Sequence, residues 1–335
     1  MQPTGLMIVA GRGEGSRLDR FLAAELGAEY SRAQIARMIK AGRVTLNDRV
    51  AKASATLRDG DRIAIAPPPP PEPVPRPVQA PHIEVLYADD DLIVVNKPAG
   101  MTVHHAPGHD HSTLVDALLA RFPELVAMAE PDGVMRPGIV HRLDKETSGV
   151  MVVARTPFAR NALSQQFKER SVVKHYIAVV DGVIGRERIT IARALGRHPT
   201  ERKRMSIHSR SPRAAVSHVT LLARFVDASL VGVRPETGRT HQIRVHLASI
   251  GHPCLDDALY GRRRDAGIGR QALHAAALSV THPRGGRLSF RASLPDDLQN
   301  YLQGRGVANA DELIESWVAA GTARAGTIDI SEPLG

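Results

Sequence analysis

One carboxylate in this sequence stands out because of the chain around it. Asp144 lies in a polar turn ahead of the apolar run Val150–Ala154, which has the composition of a buried strand. A polar turn on a rigid strand is suited to presenting a side chain to a cleft. There a carboxylate can act as a general base or as a nucleophile without a metal ion. An Asp in such a turn is, however, more often a turn former, so a chemical role needs support from elsewhere in the chain.

That support comes from an arginine a hundred residues later. Arg244 falls in a predicted helix that Thr240 can cap and Gly251 can end. It is adjacent to the stripe of apolar residues that the helix is expected to bury, namely Ile243, Leu247 and Ile250. An arginine close to a core needs a carboxylate partner, and Asp144 is the obvious candidate.

The elements that must position these groups form a larger mixed domain, expected over residues 82–318. Tyr176 falls on one of its alternating strands, where an ordinary structural aromatic is the usual interpretation. Periodicity predicts helices at 113–122 and 161–168, short helices after Leu294, and strands at 83–86, 92–96, 150–154, 174–180, 214–222, 230–234, 272–280 and 288–292.

A smaller basic unit is predicted ahead of this domain. Residues 16–66 carry ten Lys/Arg against six Asp/Glu and the pattern of two helices with short strands. Arg37 and Lys40 are three apart and so share a helix face, and Arg43 follows directly after Gly42. Residues 1–15 are expected to be disordered, 67–81 to form a semi-rigid proline-rich linker, and 319–335 to be a flexible tail.

Composition limits the partners. The formal net charge is +9, which favours a polyanion, nucleic acid before a membrane surface. A basic stretch at 193–213, centred on Arg202, Lys203 and Arg204, is typical of phosphate contacts. The single cysteine, Cys254, excludes an internal disulfide and a thiol-ligated zinc site, which fits a reducing compartment and a cytoplasmic protein. The short apolar run at 6–10 indicates neither a signal peptide nor a membrane span.

Three blocks, in order, resemble the RluA family of pseudouridine synthases. They are His141-Arg142-Leu143-Asp144 with Thr147-Ser148-Gly149, then Lys174, Tyr176 and Ala178, then residues 238–247 with Gly251, Pro253 and 257–261. Residues 16–66 resemble the S4 RNA-binding domain, through Arg17-Leu18-Asp19, Ser31-Arg32, Ile35, Gly42-Arg43-Val44 and Gly60-Asp61. The chain departs from the usual pattern at Asp256, where the family usually has Gly, at Asp116, where close relatives often carry Asn, and at Asp48, where Gly is usual.

The resemblance implies an α+β fold, with a mixed, mainly antiparallel sheet in the catalytic domain. It implies isomerisation of uridine to pseudouridine in RNA without a metal or an organic cofactor. Asp144 would be the essential aspartate, as nucleophile or base, Arg244 its partner, and Tyr176 the residue that stacks on the uracil. Arg142 would enter the RNA stack as the base leaves it. Further RNA contacts are expected from His141, Arg239, His241, Arg37, Lys40, Arg43, Arg202, Lys203 and Arg204.

The domain combination resembles the ribosomal large-subunit branch of that family. It implies 23S rRNA or a precursor of the large subunit as substrate, with the helix 69 loop as first target, and a monomer with no membrane partner. Two other functions remain open at this point. One is an RNA-binding or assembly factor with an inactive synthase body, although Asp144, Tyr176 and Arg244 are all present. The other is an N-glycosidase, which would release free uracil.

Overall fold

The computed structural model describes residues 7–9, 13–26, 30, 32–66, 81–104, 112–128, 137–201, 203–262 and 265–322. The expected linker, apart from Pro81, lies outside these residues, as do Arg202 and residues 323–335. No helix within the described ranges is long and apolar enough to cross a membrane.

The N-terminal unit is a four-stranded antiparallel sheet packed on two helices. Its strand order is β1-β4-β2-β3, and its core includes Leu18, Leu22, Ile35 and Ile63. The expectation of a disordered N-terminus is wrong for β1, whose backbone pairs with β4. Three residues are too short a run to predict a strand, because the pairing depends on a partner more than fifty residues away. The elements are β1 (Met7–Val9), α1 (Leu18–Glu25), α2 (Arg32–Lys40), β2 (Val44–Leu46), β3 (Arg49–Val50) and β4 (Arg62–Ile65).

The second domain is built on a nine-stranded sheet of order β5-β6-β7-β14-β8-β13-β12-β9, with β15 paired to β14. All pairs are antiparallel except β7 with β14, so the mixed, mainly antiparallel sheet is confirmed. Its elements are β5 (Glu84–Ala88), β6 (Leu92–Lys97), α3 (Leu114–Arg121), a 3-10 helix (Pro123–Met128), β7 (Ser148–Ala154), α4 (Pro157–Glu169), β8 (Val173–Asp181), β9 (Arg188–Ala192), β10 (Gly196–Arg197), β11 (Met205–Ser206), β12 (Val216–Arg224), β13 (Ala228–Pro235), α5 (Gln242–Ser249), β14 (Leu273–Thr281), β15 (Arg287–Arg291), α6 (Asp296–Gly304) and α7 (Ala310–Thr322).

Two of the apolar cores that pack on this sheet join it to flanking helices. One joins β6 and β7 to α3 and α4, and all seven residues of β7 are buried. The other joins β8, β13 and β14 to α6 and α7. Helix α7 runs to Thr322, so the expected loose tail does not begin at Ala319. The helix continues because its apolar stripe, which includes Ile314 and Val318, is buried in this second core.

Two of the unusual aspartates have local explanations. Asp116 forms a capping box with Thr113, in which each side chain accepts a hydrogen bond from the other residue's backbone N–H. An Asn could offer the same oxygen. Asp256 has φ +52°, a left-handed conformation that glycine adopts without steric cost. Its carboxylate offsets that cost by accepting from the backbone N–H groups of Ala266, Ile268 and Gly269.

Candidate active site

Asp144 is presented by the turn that leads into β7. The turn closes through a bond from the Thr147 N–H to the Asp144 carbonyl at 3.1 Å, and β7 begins at the next residue. The Asp144 side chain keeps 19% of its surface exposed. It opens into a pocket of about 140 Å³, whose polar lining includes Arg142, Lys174, Tyr176, Arg239, His241 and Arg244. The structure therefore brings the predicted aspartate, tyrosine and arginine into one cleft.

Arg244 is the nearest charged partner of Asp144. It lies in the first turn of α5, only 4% exposed, and its Nη1 donates to Asp144 Oδ2 at 2.9 Å. Its Nε and Nη2 donate to the two oxygens of Asp257, both at 2.7 Å. This forked contact fixes the plane of the guanidinium and aims its remaining nitrogen at Asp144. Burial opposes the charge, yet the two carboxylates raise the pKa of Arg244 above its usual value.

Asp257 is the important site residue that sequence reasoning missed. It is completely buried and also accepts from the backbone N–H groups of Leu259 and Tyr260. Burial acts to raise its pKa, but the Arg244 bonds and these backbone donors hold the pKa below its usual value. A signal was available, because a guanidinium has five N–H donors and one carboxylate cannot satisfy them when they are buried. Asp257 was already part of the third sequence block.

A buried lysine holds the turn that carries Asp144. Lys97, at the end of β6, is fully buried, and its Nζ donates to the carbonyls of Pro98 (2.7 Å), Met101 (2.9 Å) and Lys145 (3.0 Å). Burial lowers the pKa of Lys97 to about 7. The lysine thus joins the loop after β6 to the residue directly after Asp144.

Two further side chains, from the segment before β14, hold the next residues of the same turn. Arg270 donates to the carbonyl of Glu146 at 3.0 Å and is itself held by both oxygens of Asp297, at 2.5 and 2.9 Å. Gln271 donates to the hydroxyl of Thr147 at 2.9 Å. With Lys97, these contacts restrain three consecutive residues after Asp144, so the carboxylate has a well-defined position.

Tyr176 faces the pocket from β8, between β14 and β13. The register places it opposite Ala275 on one side and Val233 on the other. Its hydroxyl has no hydrogen-bond partner among the described residues, so it is available to a ligand. Burial, and then the charge of Asp144, raise the pKa of Tyr176 above its usual value, so the phenol is protonated at neutral pH.

His241 lies at the N-terminus of α5, and this helix begins differently from the prediction. The expected cap at Thr240 is wrong, because the capping position is His241, with φ +54° and no side-chain cap bond. The Gln242 side chain instead holds the loop before the helix, since its Oε1 accepts from the Arg239 N–H at 3.0 Å and from the Thr237 hydroxyl at 2.7 Å. This left-handed turn directs the His241 ring into the cleft.

The His241 ring bridges Asp144 and Tyr260. Its Nε2 lies 3.8 Å from Asp144 Oδ1, and its Nδ1 lies 2.9 Å from the Tyr260 hydroxyl. That hydroxyl accepts from the Met205 N–H, so it is free to donate to Nδ1. A neutral imidazole arranged in this way carries its proton on Nε2, towards Asp144. Burial lowers the pKa of His241, although the nearby carboxylates oppose this, so the ring favours the neutral form.

Two other predicted RNA contacts lie at the rim of the pocket. Arg142 is exposed and makes no hydrogen bond to any described residue. Arg239 donates to the Ala214 carbonyl at 3.3 Å and lines both the active pocket and a neighbouring cavity. Both positions leave a cation beside the entrance to the cleft.

His141 does not line this pocket, and its expected substrate contact stays a prediction. It is absent from the pocket lining, and its Nε2 accepts from the backbone N–H of Val152 at 3.0 Å. The ring also stacks on Phe167 with centroids 4.6 Å apart. Burial lowers its pKa to about 3, so it is neutral. His141 therefore fixes the start of the catalytic turn against β7.

The predicted basic stretch forms a hairpin, β10–β11, next to the active pocket. Lys203 is exposed in it, whereas Arg204 pairs with Glu201 at 3.0 Å and lies over the Tyr260 ring at 5.4 Å. The adjoining cavity shares Gly238, Arg239 and Thr240 with the active pocket and is also lined by Arg197, Arg210 and Arg213. In the N-terminal domain, Arg37 and Lys40 lie on α2, and Arg43 precedes β2.

Comparisons with known proteins agree with this arrangement. The RNA pseudouridylate synthase model matches residues 91–249, and the S4 domain model matches residues 16–63. The chain is 40% identical to the uncharacterized RNA pseudouridine synthase YlyB of Bacillus subtilis, over 87% of this chain and 94% of the relative. It is 41% identical to the ribosomal large subunit pseudouridine synthase D of Neisseria meningitidis serogroup B, over 86% of this chain and 78% of the relative. The solved structure of the human RNA pseudouridylate synthase domain containing 1 protein superposes with a TM-score of 0.58 at 28% identity, covering 76% of this chain and 99% of the human one.

Proposed function

The chain belongs to the RNA pseudouridylate synthase family and carries an S4 domain, and on that premise we propose that it isomerises a uridine of 23S rRNA with Asp144 as its essential residue. The observation that carries the assignment of Asp144 is its position. It is the carboxylate that opens into the cleft, paired with a buried arginine and held by a restrained turn. Such a carboxylate can attack the ribose or remove a proton from it without a metal ion.

The surrounding groups have complementary roles in this proposal. Arg244 holds the Asp144 carboxylate in place at 2.9 Å. Tyr176 supplies an aromatic face for the uracil. Its unpartnered phenol group can relay the proton that leaves C5. The glycosidic bond between N1 and the ribose breaks, and the base turns within the pocket. C5 then bonds to the ribose and loses its proton, while N1 takes up a proton. Atoms are conserved, so the RNA keeps its mass.

Arg142 is the residue proposed to keep the target uridine accessible. A uridine inside an RNA stack must leave it before it can react, at a cost of a few kcal/mol. Arg142 is exposed at the pocket rim and has no protein partner among the described residues. Its planar guanidinium can stack on the neighbouring bases and fill the gap that the uridine leaves.

The substrate is proposed to be large-subunit rRNA, with the helix 69 loop as the first target. The names of relatives such as the Neisseria meningitidis enzyme support the large subunit. The S4 domain and the arginine-lined cavity beside the active pocket supply cationic surfaces for a folded RNA. Mapping pseudouridines in rRNA from a deletion strain tests the target. We place the reaction in the cytoplasm, consistent with the single cysteine, Cys254, being free and buried.

Asp144→Asn tests the catalytic assignment. On an rRNA transcript, the variant should form no pseudouridine yet bind RNA with nearly unchanged affinity, because the substitution removes a charge without changing shape. Persistent modification would show that Asp144 is not essential. Mass spectrometry of the wild-type reaction separates an isomerase from an N-glycosidase, since only the glycosidase releases uracil. An inactive RNA-binding factor would leave the transcript unmodified even with the wild-type chain.

A further inference from the structure

Another polar cavity, called the second cavity, lies on the face of the sheet opposite the active pocket. It is distinct from the arginine-lined cavity beside that pocket. Successive side chains of a strand point to opposite faces, and on β8 Tyr176 lines the active pocket whereas His175 lines this second cavity. The same alternation occurs on β13, where Pro235 belongs to the active pocket and Arg234 to the second one. The cavity has a volume of about 340 Å³. Small-molecule sites typically measure about 300–1,000 Å³.

The strand register gathers polar groups into neighbouring rows on this face. His218 of β12 is paired with Arg234 on one side and with Thr190 of β9 on the other. The Thr190 hydroxyl bonds to His218 Nδ1 at 3.0 Å. Arg188 lies two residues from Thr190 on the same side of β9 and also lines the cavity. Arg188 on β9 and Arg234 on β13 are separated by β12, that is, by two strand spacings of about 4.8 Å, and two long arginine side chains on this face can reach one ligand between them.

A buried histidine without partners lies at the floor of the cavity. His175 is only 1% exposed, and neither ring nitrogen has a hydrogen-bond partner. The ring meets Trp317 of α7 edge to face, with centroids 4.9 Å apart. Its Nε2 faces Gly321, where a methyl group would approach to 2.7 Å. Buried polar groups are seldom left unpaired, and the described residues leave both ring nitrogens of His175 without a hydrogen-bond partner.

The charge around the cavity favours an anion. The side chains of Arg188 and Arg234 are exposed, and neither side chain forms an ion pair or a hydrogen bond with a described residue. The nearby carboxylate, Glu236, already accepts from His218 at 2.7 Å. The charge of a third arginine, Arg291, also lowers the pKa of His175, but this arginine is paired with Glu315 at 3.2 Å.

The state of His175 also suits an anion. Burial, with the charges of Arg234 and Arg291, lowers its pKa to about 4. The ring is therefore neutral near pH 7 and offers one N–H donor. A guanidinium binds phosphate oxygens with two parallel N–H groups, and two arginines with a histidine donor match a phosphate group well.

We propose that the cavity formed by His175, Arg188 and Arg234 beside Trp317 is a phosphate-binding site, separate from the active pocket. The phosphate can belong to an RNA backbone or be free in solution, and the chemistry of recognition is the same. The site is independent of the catalytic assignment, because none of its residues lines the active pocket. RNA bound there would lie on the back of the sheet, in addition to the strand at the active site.

Trp317 provides a direct test, because it is the only tryptophan in the chain. We expect inorganic phosphate to change its fluorescence with saturation, at ionic strength held constant with chloride. The double variant Arg188→Gln/Arg234→Gln should weaken this binding at least tenfold. Both side chains are exposed, so the fold should be retained, and circular dichroism checks this. Asp144→Asn, changed only in the active pocket, should bind phosphate as the wild type does.

A short single-stranded RNA distinguishes the two sources of phosphate. If the RNA gives the same Trp317 signal and the double variant loses it, the site serves an RNA backbone. A response to inorganic phosphate alone assigns the site to free phosphate. The proposal is overturned if neither ligand gives a saturable signal, or if the double variant responds as the wild type does. A failure of this test leaves pseudouridine formation unaffected, so the two proposals are judged separately.

Discussion

The substitution Asp257→Asn tests how the active site is aligned. Asp257 does not open into the pocket, yet both its oxygens bind Arg244 at 2.7 Å, and Arg244 in turn holds Asp144 at 2.9 Å. Asparagine keeps the shape and one acceptor oxygen. It replaces the other oxygen by an NH₂ group, which cannot accept from the guanidinium. Arg244 then loses one of its two hydrogen bonds to residue 257 and is free to rotate away from Asp144.

The size of the effect follows from the contacts that are lost. Removing one partner of a buried ion pair costs about 3–5 kcal/mol, and the retained oxygen places this substitution at or below the lower end. A hydrogen bond to a charged group contributes about 1.5–3 kcal/mol. If that amount is lost from the alignment of Asp144, the rate falls roughly 10- to 100-fold, since each 1.4 kcal/mol is a factor of ten.

The assay is tritium release from an rRNA transcript labelled at uracil C5, because that proton leaves during isomerisation. We expect kcat to fall 10- to 100-fold, as above, while KM for the RNA changes little. Asp227→Asn is the matched control, since it alters a carboxylate that pairs with Arg305 at a half-exposed site away from the pocket. An unchanged kcat in fully folded Asp257→Asn would refute the positioning role and leave Asp257 a purely structural residue.

Three further predictions follow from other contacts. Arg142→Ala should lower single-turnover rates roughly 10- to 100-fold on a structured RNA but little on a short unstructured one, because only a stacked uridine must be flipped; equal losses would contradict the wedge role. Lys97→Met should reduce kcat, because the turn after Asp144 loses its donor to the Lys145 carbonyl. RNA affinity, measured by filter binding, should stay the same. An unchanged kcat would show that the turn keeps its conformation without Lys97. Stability should fall as the pH drops from about 6.5 towards 4, because burial lowers the pKa of His274 to about 4 and the unfolded chain takes up a proton that the folded chain does not. This histidine should account for up to about 2 kcal/mol between pH 7 and 5 in urea unfolding, and His274→Gln should show a correspondingly flatter dependence.

The residues of the candidate site could be predicted because their evidence is local. Asp144 precedes an apolar strand, and Arg244 lies beside a buried stripe, so simple rules of burial and charge pairing apply to each. Tyr176 was ambiguous on the same rules, because a strand aromatic is normally structural. The family resemblance implies a role for it, and the fold places it in the lining of the cleft.

The supporting residues could not be predicted in this way. Lys97 and Arg270 act on backbone carbonyls close to Asp144, and every residue has a carbonyl, so sequence types carry no record of such contacts. His141 is a further example, since its place in the first sequence block does not show that its Nε2 accepts from the Val152 N–H. The path of the backbone decides the direction of a side chain, and residue identity alone does not.

Period, charge and motif are properties of short segments, so the amino-acid sequence was enough to predict the two-domain α+β organisation, most strands and helices, and the aspartate, arginine and tyrosine of the candidate site. The folded structure was needed for the strand order, with its parallel β7–β14 pair, for the addition of β1 to the small sheet, and for the extension of α7 to Thr322. It was also needed to show that Asp257 holds Arg244, the partner of Asp144, and that Lys97 holds the turn that carries Asp144. These features depend on contacts between segments far apart in the chain, and such contacts form only when the burial of whole elements selects one packing.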